Sequence, residues 1–492
     1  MPQLSYGRAM DWLAERDPDR FAIVCEAEDE SGAAETRTRA ELASRSNRLA
    51  RDLAARGVGE GDLVTIALPN GCAFFEAVLA SWKLGATPSP ISSRLPEAEQ
   101  RAIIELASPA LVIGAAPGAC EGLASLPADH EPAPALSDAP LEDVTSKRVR
   151  AMTSGGSTGR PKLIVDANPA ICDPEQPENR MKPGGRILVP GPLYHSGPFL
   201  TAWQSSLVGG TVYLHRRFDA RRCLACIERE RIDWVLFVPT MMQRIWKLPK
   251  EEREAYDLSS LETVMSSGAA SPPWVKRAWI EWLGPEVIWE AYGTTERIGG
   301  TLISGEEWLA HPGSVGRPSG GRKVSIRDEQ GRPLPPGELG LVYYLPPGGA
   351  GSTYHYVGAS ARRTADGWET LGDLGYLDED GYLYLTDRET DMIVSGGANV
   401  YPAEIEAAID AFGSVRSSAV IGLPDEDLGQ RVHAIVDAPG GADEAGLLAY
   451  LKENLAYYKV PRSFELVEEP LRDDAGKVRR SALRAERIAG AG

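Results

Sequence analysis

Apolar positions along the chain fall into two periods. Short continuous runs, "LVTIAL" at 63–68, "ALVIG" at 110–114 and "WVLFVP" at 234–239, suit strands buried on both faces. Between them "AFFEAVLASWKLG", "RAIIELAS" and "CLACIERER" carry helical spacing. The stretch "SPPWVKRAWIEWLG" repeats apolar residues at Trp274/Val275, Ala278/Trp279 and Trp282/Leu283, with Ser271 as N-cap and proline in the first turn. It leads into "EVIWEAYG", a strand running into a turn. This alternation predicts an α/β fold with helices packed outside the sheets, and Trp274, Trp279 and Trp282 are read as core.

Beyond residue 315 the texture changes. "KVSIRDEQGRPLPPGELGLVYYLPP" predicts short strands broken by turns, a β-rich lobe. A helix opening at Pro402 puts Ile405, Ala408, Ile409 and Phe412 on one face and starts a new unit. The junction is placed within Thr386–Thr390, giving a large N-terminal domain over 1–387 and a small α+β domain over 388–492. Residues 166–185, polar and proline-rich, predict a mobile, exposed loop. No internal repeat is visible.

Composition narrows the function classes. Of 492 residues, 43% are hydrophobic and 25% charged, values of a soluble globular protein. No run of about 18 apolar residues occurs, so no membrane span is expected. The opening "MPQLSYGRAMDWLAERDPDR" lacks an apolar signal core, which makes a cytoplasmic location the expectation. Lys plus Arg total 52 against 70 Asp plus Glu, and the net charge of −18 opposes nonspecific nucleic-acid binding. Cys223 and Cys226 have metal-ligand spacing but no second pair, and no nearby histidine is expected, so they are read as packing, without structural zinc.

Chemistry concentrates in "MTSGGSTGRPK" at 152–162. Its glycines, Ser154, Ser157, Thr158 and Lys162 could cradle a phosphate, since turned backbone N–H groups, hydroxyls and a cation all suit an anion. No GK[ST] follows, so it is not a Walker A loop. Residues 155–159 also satisfy G-x-S-x-G, the elbow of serine hydrolases with Ser157 as nucleophile, although "TGRPK" favours an extended loop over the required helix. A plain flexible turn is the third reading.

Other stretches bear on the choice: "KLGATPSPIS" (83–92), "GPLYHSGPF" (191–199), "SSGAA" (266–270), "EAYGTTE" (290–296), "GSVGRP" (313–318), "GWETLGDLG" (367–375), "TDRETDMIVSGGANVYPAEIE" (386–406) and "DDAGKVRR" (473–480). In this order, over roughly residues 10–485, they resemble the adenylate-forming superfamily of acyl-CoA ligases, luciferases and peptide-synthetase adenylation domains. The resemblance implies that ATP and Mg²⁺ activate a carboxylate as an acyl-adenylate, which then passes to the thiol of coenzyme A. It places Ser154, Ser157, Thr158 and Lys162 over the phosphates, Thr295 at the α-phosphate and Glu296 on Mg²⁺. Gly268, Ala269 and Tyr292 would enclose adenine, with Gly293 and Thr294 in the same motif and Glu290 near the amino group. Asp373 and Arg388 would hold the ribose. Lys477 would bridge acyl carboxylate and α-phosphate, and His195 would neighbour acyl entry and the thioester site. The small domain would then rotate, exchanging Lys477 for the "SGGAN" hairpin, where Gly397 leaves room for the pantetheine arm.

The acyl pocket is expected from Phe199, Trp203, Thr240, Met241 and Gly299, all apolar or small, with Gly299–Gly300 widening it for a bulky ring system. No Asp or Lys is present there to pair an amino-acid ammonium. The chain looks most like ligases of bile-acid or steroid type, and a polycyclic diterpenoid-acid ligase of a platensimycin-type antibiotic pathway is a further reading. A carrier protein in trans as thiol donor and a homodimeric assembly stay open. Two positions depart from the family pattern: Gly155, where Ser or Thr is usual, and Thr390, where the rotation hinge is usually Asp or Lys. Threonine is stiff at χ1, so the balance between the two half-reactions is expected to be unusual. At the extreme the enzyme would work mainly from a preformed acyl-adenylate, a reading that Lys477 opposes.

Overall fold

A computed structural model describes residues 3–27, 32–154, 161–473 and 476–490, apart from the side chain of Ser154. Its centre is a nine-stranded sheet. In spatial order it runs Arg317–Pro318, Gly300–Ser304, Ile288–Gly293, Thr263–Ser267, Trp234–Phe237, Arg186–Val189, Thr211–Leu214, Phe21–Cys25 and Glu35–Thr38. The six strands from Ile288–Gly293 to Phe21–Cys25 are parallel. They are the continuous apolar runs of the sequence, because helices cover both faces of the sheet. A second, four-stranded parallel sheet is built around Leu63–Ile66, between Thr87–Pro90 and Leu111–Ile113.

The helix Cys72–Lys83 is buried on nearly all sides because it is wedged between layers, not laid on a surface. Its Phe74, Phe75 and Trp82 join Phe199 and Trp203 in the largest core cluster. Trp279 is buried in a second core with Trp274 and Trp282 packed at its margin, as their spacing predicts. Proline opens that helix, Pro273–Leu283, but its N-cap is Pro272; the Ser271 hydroxyl makes no capping bond. Cys223 and Cys226 are both buried. Folding brings a histidine that the sequence spacing hides: His215 Nδ1 lies 3.6 Å from Cys223 Sγ, and Nε2 lies 3.2 Å from Glu26, which Arg229 also engages.

The loop 166–185 is less free than its composition suggests. Ile171–Cys172 pairs with Leu4–Ser5, and Ala170 and Met181 are buried. A polar, proline-rich segment can still be pinned by two or three apolar anchors. The β-rich lobe forms as expected, Lys323–Arg327, Gly340–Leu345, Glu369–Leu377 and Leu383–Arg388 pairing antiparallel in succession. Past Arg388 the chain forms a separate core around Ile405, Ile409, Val420, Val432 and Val436, on the sheet Ser417–Asp425, Gly429–Asp437, Ser463–Val467. The helix Pro402–Asp410 contributes Ile405 and Ile409 fully, while Ala408 and Phe412 are partly buried.

Candidate active site

The carboxyl ends of the parallel strands open onto one cleft, where α/β sheets commonly bind ligands. Strand Thr263–Ser267 ends at Gly268, whose φ of +91° suits glycine; Ala269 follows. Strand Ile288–Gly293 delivers Tyr292, whose hydroxyl donates to Asp373 Oδ2 at 2.5 Å. Arg388 Nε donates to the other oxygen of Asp373 at 3.2 Å, since the two residues sit opposite each other in the antiparallel ladder. Burial, then the neighbouring Asp373 carboxylate, raises the Tyr292 phenol well above its ordinary pKa. The same carboxylate raises Arg388. Glu290 is buried and bound to Lys276 Nζ on the flanking helix at 2.7 Å, so one of its oxygens is committed to an internal ion pair.

At the phosphate end, Ala151–Ser154 and Lys162–Asp166 form an antiparallel hairpin with Ser154 opposite Lys162. Gly155, Ser157 and Thr158 lie outside the described residues. A strand, not a helix, follows the glycine-rich run, which contradicts the hydrolase elbow. Lys162 Nζ lies 3.1 Å from the Tyr356 hydroxyl, 4.2 Å from that ring's centroid and 3.6 Å from Glu296 Oε1. Tyr356 in turn donates to Glu296 Oε1 at 2.6 Å. The Thr294 hydroxyl is buried with no hydrogen-bond partner among the described residues. Buried Arg150 donates to Ser196 Oγ at 2.8 Å and to the Thr295 carbonyl at 3.5 Å; burial lowers its pKa to about 10. A buried carboxylate facing a lysine, beside an unpartnered hydroxyl, fits a Mg²⁺-bound triphosphate, because the hard cation takes oxygen ligands and lysine takes phosphate charge.

Sequence reasoning missed Tyr356 and Arg150. Arg150 lies just before the glycine-rich run, but Tyr356 reaches the site only because Tyr354–Val357 pairs with Lys162–Asp166.

The third wall belongs to His195 and Lys477. His195 precedes the helix Ser196–Leu207, and its Nε2 is buried without a partner among the described residues. Burial, helped by the charge of Lys477, pushes its pKa down to about 3. Lys477 stands in a tight turn: Asp473 N–H donates to its carbonyl at 2.9 Å and its own N–H to Asp473 Oδ1 at 2.9 Å. Its ammonium is within electrostatic reach of His195, Arg388 and Glu296. Partial desolvation, with the charge of Arg388 added, lowers its pKa, although the residue is exposed. A Cβ added to Gly476 would fall 2.8 Å from Thr240 Oγ1, so this turn is seated on the first turn of the helix Pro239–Trp246. Gly397, by contrast, has φ +81° and open space around it. The small domain therefore presents Lys477 to the cleft.

The expected acyl wall is corrected at three positions. Phe199 and Trp203 are one helical turn apart and face the helix Cys72–Lys83, with Trp82 centroids 6.0 and 4.6 Å away; they are fully buried core. Gly299 does not widen a pocket, because a Cβ there would fall 1.9 Å from the Tyr344 ring that packs on it. The adjacent Gly300 is needed for strand contact with Tyr292 and Gly293. Met241 is buried beneath Gly191, and Thr240 borders the cleft beside Gly476.

The chain is similar to known proteins. The model of AMP-binding enzymes matches residues 10–354, and that of the AMP-binding enzyme C-terminal domain matches 404–477. A feruloyl-CoA synthase of an Amycolatopsis species is 35% identical over 469 residues, 91% of this chain and 93% of its own. A long-chain-fatty-acid–CoA ligase of Mycobacterium tuberculosis is 30% identical, with 91% and 93% covered. Among solved structures, o-succinylbenzoate CoA synthetase of Bacillus subtilis bound to its acyl-adenylate superposes with a TM-score of 0.82 at 26% identity, covering 98% of this chain and 99% of that one. The chain belongs to the AMP-binding enzyme family, the adenylate-forming superfamily that the ordered motifs resemble, and is an AMP-forming acyl-CoA ligase.

Proposed function

We propose that this ligase activates a hydrophobic aryl-type carboxylic acid with ATP and Mg²⁺ and transfers it to coenzyme A. The observation that carries the reading is the seating of Gly476 against Thr240, which holds the adjoining Lys477 within reach of His195, Glu296 and Arg388. In that place a point charge can neutralise an acyl carboxylate and an α-phosphate together, the geometry that adenylation requires. Glu296 would hold Mg²⁺, which draws charge from the phosphates. Lys162, Thr294 and Thr295 would bind and orient the nucleotide's phosphates, with Ser154, Ser157 and Thr158 completing the loop. Tyr292, Gly268 and Ala269 would enclose adenine near Glu290, with Asp373 and Arg388 on the ribose. The boundary at 387/388 would let residues 388–492 rotate, bringing Gly397 to the thiol in place of Lys477.

The choice of an aryl acid over a polycyclic terpenoid or steroid-like one follows from the corrected pocket. Gly299 and Gly300 serve packing, so the extra width is gone. Similarity to a feruloyl-CoA synthase agrees with this choice. AMP release should be measured with ATP and CoA across cinnamic-type, long-chain and polycyclic acids. We expect kcat/KM to be highest for the aryl set; a polycyclic acid preferred tenfold would defeat the assignment.

A further inference from the structure

Tyr356 belongs to no glycine-rich or acidic motif, yet it touches both charged groups at the phosphate end. Its hydroxyl has one proton. That proton is donated to Glu296 Oε1 at 2.6 Å, so toward Lys162 at 3.1 Å the same oxygen can only accept. The ring face meanwhile carries the Lys162 ammonium at 4.2 Å. Glu296 is only 6% exposed. Lys162 and Glu296 form a loose ion pair at 3.6 Å; without the hydroxyl between them they would tighten into direct hydrogen-bonded contact, removing both from a ligand.

We infer that Tyr356 is a positioning residue for the nucleotide phosphates, holding one oxygen of Glu296 so that the carboxylate stays open to Mg²⁺ while Lys162 is kept poised for phosphate. The inference rests on the reading of Glu296 as the Mg²⁺ ligand. Hydrogen bonds to a ligating carboxylate fix its orientation, and removing such a partner typically weakens metal affinity about 10- to 100-fold. Tyr356 lies on strand Tyr354–Val357, against the strand that carries Lys162, so the hold is part of the sheet and not of the loop.

The test is calorimetric binding of ATP to the full-length enzyme, with Mg²⁺ and in excess EDTA, for the parent, Tyr356→Phe, Tyr356→Leu and Glu296→Gln. Tyr356→Phe keeps the ring. It should weaken ATP binding in Mg²⁺ by about 10-fold while leaving binding in EDTA within twofold. Tyr356→Leu should also weaken binding in EDTA, because Lys162 loses the ring. Glu296→Gln should abolish the Mg²⁺ advantage, and adding Tyr356→Phe to it should cost nothing more. The unfolding midpoint of Tyr356→Phe should stay close to the parent's. If Glu296→Gln keeps its Mg²⁺ advantage, the reading of Glu296 fails and takes the role of Tyr356 with it. If Glu296→Gln loses the advantage and Tyr356→Phe does not, Tyr356 alone is misassigned.

Discussion

At His195 burial sets the protonation of the ring, and the charge of Lys477 adds to the effect. An imidazole buried with an ammonium nearby cannot hold a second charge, so the ring is neutral at physiological pH and available as a hydrogen-bonding wall. The native pKa of about 3 lies below the ordinary 6.5. As pH falls below 6.5 the unfolded chain takes a proton that the folded chain refuses, and stability is lost until the native ring itself protonates near 3. The loss from this group is at most about 1.4 kcal/mol per pH unit. His195→Asn should therefore show a shallower fall in denaturant stability between pH 7 and pH 5 than the parent. Equal slopes would mean that the ring is charged in the fold.

Among elements, the contacts that join the small domain to the large one differ in strength. The turn carrying Gly476 and Lys477 packs on Thr240, and Lys247 donates to the Val415 carbonyl. The pair Arg479–Glu99, at 3.2 Å, joins the small domain to the helix Glu97–Ala107 but is largely exposed. Exposed pairs contribute about 0.2–1 kcal/mol, so reversing one charge should tilt the conformers only a few-fold. Arg479→Glu should lower the pyrophosphate-exchange rate relative to thioester formation from synthetic acyl-adenylate by about two- to fivefold, with the shift fading in high salt. The double reversal with Glu99→Arg should restore the ratio, and a ratio that does not move would remove this pair from domain seating. Thr390 stands in an exposed turn beside Asp391, which Arg480 anchors.

For the whole molecule, the division of labour between domains is the property to test. Lys477 and Arg388 both belong to residues 388–492 and face the site, whereas Lys162 and Glu296 belong to residues 1–387. Lys477→Ala should reduce adenylation by about 10²-fold or more, the scale for losing a charge aimed at a developing oxyanion. Thioester formation from supplied acyl-adenylate should stay within about threefold of the parent, since a group withdrawn by rotation contributes nothing to that step. Equal losses in both assays would contradict the exchange of Lys477 for the Gly397 hairpin.

Much of this was legible in the chain because it is local. Continuous apolar runs marked the parallel strands, helical spacing marked Trp279 and Ile405 as core, and the ordered motifs pointed to nucleotide chemistry. Side-chain surroundings were not legible, because they depend on partners far along the sequence. Gly299 reads as spare room until the Tyr344 ring is laid on it, and Phe199 and Trp203 read as pocket until the helix Cys72–Lys83 meets them. Tyr356 carries no motif at all, yet strand pairing brings it to Lys162 and Glu296. Which elements form, and which chemistry they carry, can be read along the chain, since propensity, periodicity and motif order are properties of neighbours. Which of those groups share a dielectric, a proton or a wall emerges on folding, since contact energies act through space across separations the chain order does not encode.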